Sequence, residues 1–219
     1  MADALPQQRT LPPLENGDRL SRFEFERRYE AMSQVKKAEL IEGIVYMPAA
    51  LRFKSHGQPH SRILTWIGIY EAATPEIFSG VEPTVTLDID NQLQPDAVLF
   101  IDEAAGGQSR LTEDDYLEGA PELVVEIAVS SAAIDLHTKK TVYRRNEVRE
   151  YIVWQVLDQK LDWFRLEEGV YVNIAPDEDG ILRSQISPGL WLDVQSLFAG
   201  DMQQMLSVLQ EGVRWLVWA

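Results

Sequence analysis

The chain has 219 residues, of which 45% are hydrophobic and 25% are charged, a balance that is ordinary for a globular protein with one well-filled core. Its formal net charge of −15, from 20 basic and 35 acidic residues, argues against tight non-specific binding of nucleic acid. The absence of cysteine excludes disulfides, thiolate metal sites and a cysteine nucleophile, and no apolar run approaches the ~20 residues of a membrane span. We therefore expect a cytoplasmic protein without a membrane partner.

The first elements of the chain are predicted to be an arm, a helix, and either a strand pair or a bent strand. Residues 1–18 contain three prolines and little apolar periodicity, so we expect a mobile arm there. Ser21 and Glu24 form a capping box for a following helix. The segment AELIEGIVYMP then alternates around Gly43, which predicts a strand pair or a bulged strand.

The middle of the chain alternates between a helix and short apolar segments. Apolar residues recur at helical spacing over Gln58–Ala72, whereas Val81–Asp88 is typical of a strand and Ile89–Gln94 of a turn. Two runs rich in Val, Ile and Leu, Ala97–Ile101 and Leu123–Val129, are short enough to be buried strands. These segments predict a fold that mixes helices with a sheet.

The last third of the chain predicts strands and then a closing helix. Tyr151–Val156 indicates another buried strand, and the segments after it alternate like a hairpin. Asp201–Leu216 is predicted to be helical, and its apolar end at Trp215–Trp218 requires a cover. Because no repeat or low-complexity linker interrupts the chain, we expect a single domain over residues 19–219.

Two of the apolar strands carry a carboxylate that a buried strand would not normally contain. Asp96 stands at the start of the first run and Glu126 lies inside the second. An ionised carboxylate is costly to bury unless it is paired, hydrogen-bonded or bound to a metal. One hypothesis is a pair of oxygen ligands for Mg²⁺ or Mn²⁺. The alternative for Asp96 is a turn residue after a proline. For Glu126 a structural alternative is weaker, because the VVEIAV context offers no obvious reason for a charge at its centre.

A lysine and a tyrosine follow these acids on one predicted helical face. Asp135, Lys139 and Tyr143 recur every four residues. Lys139 could orient or deprotonate a water, or balance the charge of a scissile phosphate. The alternative is an ion pair with Asp135, which is worth about 0.3–0.5 kcal/mol. Tyr143 is better suited to core packing with its hydroxyl hydrogen-bonded.

Further candidate residues are less well defined by their context. Glu39 and Glu42 bracket two apolar residues, and either could be a third acid of the site. His60 is the best placed of three histidines, although a lone helical histidine is more often a packed residue than a catalyst. His56 precedes it at the spacing of zinc helices, but a glycine and a proline lie between the two and argue against a zinc site.

The order of these motifs resembles the PD-(D/E)XK nuclease superfamily, because Pro95–Asp96 is followed by Glu126 and then by a lysine. The wider pattern is similar to the Uma-two-type, restriction-endonuclease-like family over about residues 20–170. It consists of ELIEG at 39–43, a helix opening at His60, PDAVLF, PELVVEIAVSS, DLHTKK with Tyr143, and VREYIVW. Each motif alone is weak, but their order and spacing together are fairly specific.

The resemblance implies an α/β fold with a mixed sheet, namely a restriction endonuclease-like αβββαβ core extended by C-terminal strands and a helix. The residues that it assigns are Asp96, Glu126 and Glu39 as Mg²⁺ or Mn²⁺ ligands, Lys139 as the catalytic lysine, and Glu42, His60 and Tyr143 as accessory residues, with Glu42 as the alternative to Glu39. In the usual motif the lysine stands two residues after the second acid, where this chain has Ala128. Lys139 would therefore reach back from the next helix.

The resemblance predicts a metal-dependent endonuclease that hydrolyses phosphodiester bonds of DNA, with no organic cofactor. The alternative is a non-catalytic protein that keeps the fold as a dimerising or partner-binding module, and the net acidity and the apolar Trp215–Trp218 tail favour it. Hydrolysis of RNA or of a nucleotide is a third hypothesis. Many such nucleases dimerise so that two sites meet two strands, so we expect a homodimer with the tail at its interface.

Overall fold

The structure, a computed structural model, describes residues 11–48 and 51–218. Its helices are α1 (Arg22–Glu30), α2 (Gln58–Ala73), α3 (Lys140–Arg145), α4 (Val194–Ala199) and α5 (Met202–Trp218), with π-helical segments at Phe53–Gly57 and Ile134–Lys139 and a 3₁₀ turn at Glu103–Ala105. Among the residues that the structure describes, no helix is both long enough and apolar enough to cross a membrane.

The strands form two six-stranded sheets and a separate hairpin. In chain order they are β1 (Glu39–Ile41), β2 (Ile44–Tyr46), β3 (Ile77–Val81), β4 (Val85–Asp88), β5 (Asn91–Leu93), β6 (Ala97–Ile101), β7 (Arg110–Leu111), β8 (Leu117–Glu118), β9 (Leu123–Ala128), β10 (Glu150–Gln155), β11 (Lys160–Glu167), β12 (Val170–Asn173), β13 (Ile181–Arg183) and β14 (Trp191–Asp193). The central sheet has the order β12-β11-β10-β9-β6-β3, the second sheet β2-β1-β5-β4-β8-β7, and β13 pairs with β14.

The central sheet mixes parallel and antiparallel pairs. β10 runs parallel to β9, whereas β6 is antiparallel to both β9 and β3. In chain order, α2 precedes β3, β6 and β9, and α3 connects β9 to β10. A parallel pair needs such a crossover, because a tight hairpin can join only antiparallel strands. The α/β fold with an αβββαβ order in a mixed sheet, expected from the sequence, is confirmed.

Both faces of the central sheet are buried, as the alternating residues of strand β9 show. Its odd-numbered residues, such as Val125, belong to a core shared with α2 and α5, in which Trp66 and Trp163 meet edge to face at 5.8 Å. Its even-numbered residues, such as Val124, belong to a core shared with the second sheet and α3. Glu126 has the same parity as Val124, so it faces the region between the two sheets.

The second sheet begins with a tight hairpin. β1 and β2 pair antiparallel, and the two residues between them, Glu42 and Gly43, have φ values of 53° and 70°. Two consecutive residues with positive φ form the turn type that suits the twist of paired strands. The predicted strand pair around Gly43 is thereby confirmed, and Glu42 belongs to its turn.

Two local expectations were wrong. The predicted turn over Ile89–Gln94 contains strand β5, which pairs with β1 on one side and β4 on the other. Strand β3 starts at Ile77, ahead of the predicted strand Val81–Asp88, whose second half forms β4. Both strands form because they pair with other strands, and the local apolar pattern does not reveal those pairing partners.

The two chain ends also differ from expectation in part. Of the arm predicted to be mobile, residues 1–10 lie outside the described part of the structure. The remainder is held in place, because Leu14 is buried in a small core with Phe25 and the Gly17 N–H donates to the Val45 carbonyl oxygen. At the other end, Trp215 is half exposed with its ring 6.4 Å from that of Trp191. The side chains of the predicted tail beyond Trp215 lie outside the described part of the structure.

Candidate active site

Asp96 and Glu126 face each other across two neighbouring strands. β6 and β9 pair antiparallel with Ala97 opposite Val125, which places Asp96 opposite Glu126. The Asp96 Oδ2 atom accepts a hydrogen bond of 2.7 Å from the backbone N–H of Ile127. Both acids are almost fully buried, with exposures of 4% and 3%. The two carboxylates that sequence patterning singled out therefore lie side by side.

Lys139 joins this pair to the second sheet. Its Nζ atom lies 2.9 Å from Glu126 Oε1 and 2.9 Å from Glu39 Oε1, and 3.9 Å from Asp135 Oδ1. Glu39, at the start of β1, is itself fixed by a hydrogen bond of 2.8 Å from the Gln94 backbone N–H. One ammonium thus contacts three carboxyl groups from three different segments, and the contacts with Glu39 and Glu126 are closer than the ion pair with Asp135.

Tyr143 also bonds to Glu126, from one turn beyond Lys139. Its hydroxyl donates to Glu126 Oε1 at 2.9 Å, and its ring packs against that of Tyr151 at 5.0 Å. Tyr151 in turn donates to the backbone oxygen of Asp135. These two tyrosines connect the carboxylates to the core between the sheets. Lys139 and Tyr143 share the same carboxylate oxygen, Oε1.

A second group of side chains contacts Asp96 at its Oδ1 atom and at its backbone oxygen. His56 Nε2 lies 3.3 Å and Lys37 Nζ 3.6 Å from Asp96 Oδ1. His60 Nε2 lies 2.6 Å from the backbone oxygen of Asp96. Lys37 has another acidic partner in Glu82, at 3.4 Å. Asp96 therefore lies between an acidic cluster around Lys139 and a basic cluster of two imidazoles and a lysine.

The pKa values reflect this division. Burial raises the pKa of Glu126 to about 8, and the nearby acids Asp135, Asp96 and Glu39 add to the effect against the opposing charge of Lys139. Burial acts in the same direction on Asp96, but His56 and Lys37 outweigh it and lower its pKa to about 2. In Lys139, the acids around the ammonium outweigh burial and raise its pKa well above the ordinary value. In this cluster Lys139 therefore stays charged, and Glu126 binds a proton more readily than an exposed glutamate does.

The family model described as "Putative restriction endonuclease", Uma2, matches residues 23–195 of this chain. The chain belongs to the Uma2 family. The matched range contains every residue of the site described above, from Lys37 to Tyr143. Together with the fold, the Uma2 match indicates a nuclease of the restriction endonuclease type.

A solved structure supports the fold assignment for this Uma2 member. The chain is similar to a crystal structure from Anabaena variabilis ATCC 29413, described as a putative nuclease belonging to DUF820, with a TM-score of 0.63 and 14% identity. The match covers 79% of this chain and 96% of that chain. At this identity the likeness shows the shared fold. A search of curated proteins found no match.

The candidate site gathers most of the residues predicted from the sequence. The structure brings together Glu39, Asp96, Glu126, Lys139, Tyr143 and His60. It does not bring Glu42 to them, because Glu42 lies in the β1–β2 turn, is exposed, and pairs with Arg145 at 2.7 Å. Of the two alternative acids, Glu39 is therefore the one that contacts Lys139.

Three residues of this site do not follow from the local sequence. The sequence gives Asp135 a role only as an ion-pair partner of Lys139, and its local context does not single out Lys37. His56 was set aside because a glycine and a proline separate it from His60, yet the two rings lie 5.6 Å apart. The chain passes Gly57 in a π-helical segment that continues directly into α2. Pro59 lies in the first turn of α2, where a missing backbone N–H costs nothing.

Both π-helical segments supply residues to the site. The segment Phe53–Gly57 carries His56, and the segment Ile134–Lys139 carries Asp135 and Lys139. A π-helical turn contains an additional residue compared with an α-helical turn, so it shifts the direction of the side chains that follow, and such turns are frequent at functional sites. Simple helical periodicity does not reveal these shifts.

Proposed function

We propose that this protein is a divalent-metal-dependent nuclease that hydrolyses phosphodiester bonds of DNA. The observation that carries the proposal is the convergence of Glu39, Asp96, Glu126 and Lys139 between the two sheets. These residues come from separate segments of the chain, and Glu39 and Lys139 are 100 positions apart. Buried acids are costly to a fold, so their gathering favours a functional role over a structural one.

The charges of the site suit a divalent cation. Four buried carboxyl groups, those of Glu39, Asp96, Glu126 and Asp135, lie near two ammonium groups, those of Lys139 and Lys37. Burial raises the pKa of Glu126, and the neighbouring acids Asp135, Asp96 and Glu39 add to this effect. Carboxylate oxygens are the ligands that Mg²⁺ and Mn²⁺ prefer. Asp96, Glu126 and Glu39 would hold the ion.

The bound ion would supply positive charge that stabilises the phosphate and the leaving oxygen. The chain's own groups have distinct roles beside it. The surrounding acids raise the pKa of Lys139 well above its ordinary value, so its charged ammonium is placed to stabilise negative charge on the phosphate. The Ile127 N–H fixes Asp96, and the Tyr143 hydroxyl and the Gln94 N–H fix Glu126 and Glu39. These contacts pre-organise the acids before the substrate arrives.

Two observations favour the alternative of a non-catalytic module. Lys139 contacts both Glu39 and Glu126 at 2.9 Å, so each of these carboxyl groups has a cationic partner without a metal ion. The net charge of −15 also opposes binding of DNA. The homodimer and the cytoplasmic location that we expect from the sequence stay predictions.

The test is a calorimetric titration with Mn²⁺ and Mg²⁺ that compares the wild type with Asp96→Asn, Glu126→Gln and the exposed control Glu42→Gln. We expect binding in the wild type and in the control, and loss of binding in the other two variants. The titration is repeated with DNA present, which detects an ion that binds only together with a phosphate group. Cleavage of plasmid DNA in Mn²⁺ should then show the same pattern. Absence of binding under both conditions, or binding that both site variants retain, would support the non-catalytic module.

A further inference from the structure

The histidine side of Asp96 forms a group of its own. One ring nitrogen each of His56 and His60 and one carboxylate oxygen of Asp96 all lie within 4.8 Å of one another. All three side chains are buried, with exposures of 7%, 8% and 4%. The two rings meet edge to face. Two imidazoles and one carboxylate at this spacing are a common donor set of divalent transition metals.

His56 has a buried nitrogen that nothing in the described structure satisfies. Its Nε2 atom faces Asp96 Oδ1, but its Nδ1 atom is buried and has no hydrogen-bond partner among the described residues. A buried polar atom without a partner costs about 1–3 kcal/mol. Such atoms are rare in folded proteins, and a bound ion is one way in which a protein satisfies them. This observation is independent of the spacing of the three donors.

The contacts of His60 fix its protonation pattern. Its Nε2 atom lies 2.6 Å from the backbone oxygen of Asp96, and a carbonyl oxygen can only accept a hydrogen bond. Nε2 therefore carries the proton, and in the neutral ring Nδ1 keeps its lone pair. Metal-bound histidines usually donate their other ring N–H to a carbonyl or a carboxylate in this way.

Asp96 is oriented towards the same group. Its Oδ2 atom is occupied by the Ile127 N–H, so Oδ1 is the oxygen that faces His56 and Lys37. Lys37 is the cation that balances Asp96 in this structure, and it also contacts Glu82 at 3.4 Å. Its ammonium can remain with Glu82 when another cation binds Asp96. The positive charge next to the three donors is therefore displaceable.

We propose that His56, His60 and Asp96 form a binding site for a divalent transition-metal ion of the zinc class, which shares Asp96 with the carboxylate set that Mg²⁺ or Mn²⁺ would occupy and takes its other two donors from the imidazoles. Imidazole ligands favour zinc, cobalt and nickel over magnesium. Three protein ligands leave a fourth position for water or for an oxygen of a ligand. Its two imidazole donors have no place in the carboxylate set, so the site does not depend on the nuclease activity proposed above.

The first test is a Zn²⁺ titration of the tag-free, EDTA-treated full chain by calorimetry, together with Co²⁺ absorption spectroscopy. We expect one ion per chain in the wild type, and a weakening in His56→Gln that exceeds the 10–100-fold typical of a lost outer-shell partner. His137→Gln is the matched control, because His137 is the exposed one of the three histidines. Glu126→Gln is the second control, and it should keep Zn²⁺ binding.

The second test uses only the wild type, so a misfolded variant cannot obscure it. Imidazole nitrogen NMR of the three histidines should show shifts for His56 and His60 at one equivalent of Zn²⁺ and none for His137. Absence of Zn²⁺ binding, binding that persists in His56→Gln, or binding lost in Glu126→Gln but kept in His56→Gln would overturn the proposal. Mn²⁺ binding that needs Glu126 would in each case leave the nuclease proposal standing.

Discussion

The carboxylate of Asp96 accepts a hydrogen bond of 2.7 Å from the N–H of Ile127, the residue that follows Glu126 on the adjacent strand. This contact fixes the two acids relative to each other and uses only Oδ2 of Asp96. It leaves Oδ1 in contact with His56 and Lys37. Asp96 thus belongs to both clusters, whereas Glu126 and His56 each belong to one. Substitutions at Glu126 and at His56 can therefore separate the two proposed metal sites.

Removing the Lys139 ammonium should destabilise the fold strongly. Lys139→Met leaves Glu39, Glu126 and Asp135 buried without their shared cation. Breaking a buried ion pair by removing one partner costs about 3–5 kcal/mol. We expect a loss of that size in the free energy of unfolding, measured by urea denaturation in EDTA.

The neighbouring residue provides a matched control for this change. Lys140→Met removes an ammonium that lies 3.4 Å from the centre of the Phe164 ring and has no place in the acidic cluster. It should cost at most about 1 kcal/mol, the scale of an exposed cation–π contact. Equal losses in Lys139→Met and Lys140→Met would mean that the cluster does not depend on its lysine.

The stability of the metal-free protein should fall as the pH rises from about 4.5 to about 8. The pKa of Glu126 is raised from 4.5 to about 8 in the folded state, chiefly by burial. Between these values the folded state keeps a proton that the unfolded state has lost, so raising the pH favours unfolding. The contribution is fully present below the unfolded pKa and is lost as the pH passes the folded pKa.

This dependence is measured by urea denaturation in EDTA at a series of pH values. Glu126→Gln should flatten the slope, because glutamine does not titrate. Glu42→Gln should leave the slope unchanged, since Glu42 lies in an exposed turn beside Arg145. A slope that survives in Glu126→Gln would assign the titration to another group.

The apolar strands and the two central acids were predictable from local sequence. Continuous runs of Val, Ile and Leu mark β6, β9 and β10, and a carboxylate within such a run stands out because its burial is costly. The sequence also contains a signal that favours Glu39 over Glu42 as the site residue. A glycine directly after Glu42 indicates the turn of a hairpin, and a residue in that turn cannot face the sheet interior.

Other parts of the site depend on contacts that the local sequence does not encode. β5 is three residues long and mostly polar, and its pairing with β1 and β4 determines its conformation. The helical pattern placed Lys139 beside Asp135, but its nearer partners, Glu126 and Glu39, lie 13 and 100 positions away. The approach of His56 to His60 depends on a π-helical segment, which changes the spacing on which helical periodicity rests.

Tyr143 should act on metal affinity by positioning Glu126. Tyr143→Phe removes the hydroxyl that donates to Glu126 Oε1 and leaves the ring in the core. Loss of an outer-shell partner typically weakens metal binding by about 10–100-fold. We expect that weakening for Mn²⁺ by calorimetry, with a stability loss of about 1–3 kcal/mol.

Tyr171→Phe is the control that separates positioning from stability. Its hydroxyl donates to the Val148 carbonyl oxygen, so its loss also removes one partly buried hydrogen bond. Stability should decrease, but Mn²⁺ affinity should not change. If both tyrosine variants bind Mn²⁺ like the wild type, Tyr143 has only a packing role.

Two helical glycines should respond in opposite directions to alanine. A Cβ atom at Gly212 in α5 would collide with the Gly189 carbonyl oxygen and lie 2.7 Å from the Trp191 ring, so Gly212→Ala forces α5 away from β14. Overpacking of this kind costs about 1–3 kcal/mol. At Gly68 in α2 a Cβ atom would meet nothing within 4 Å, so Gly68→Ala should stabilise the helix by about 0.5–1 kcal/mol. Thermal unfolding of both variants checks the pair. A neutral Gly212→Ala would show that α5 does not pack tightly on the Gly189–Trp191 segment.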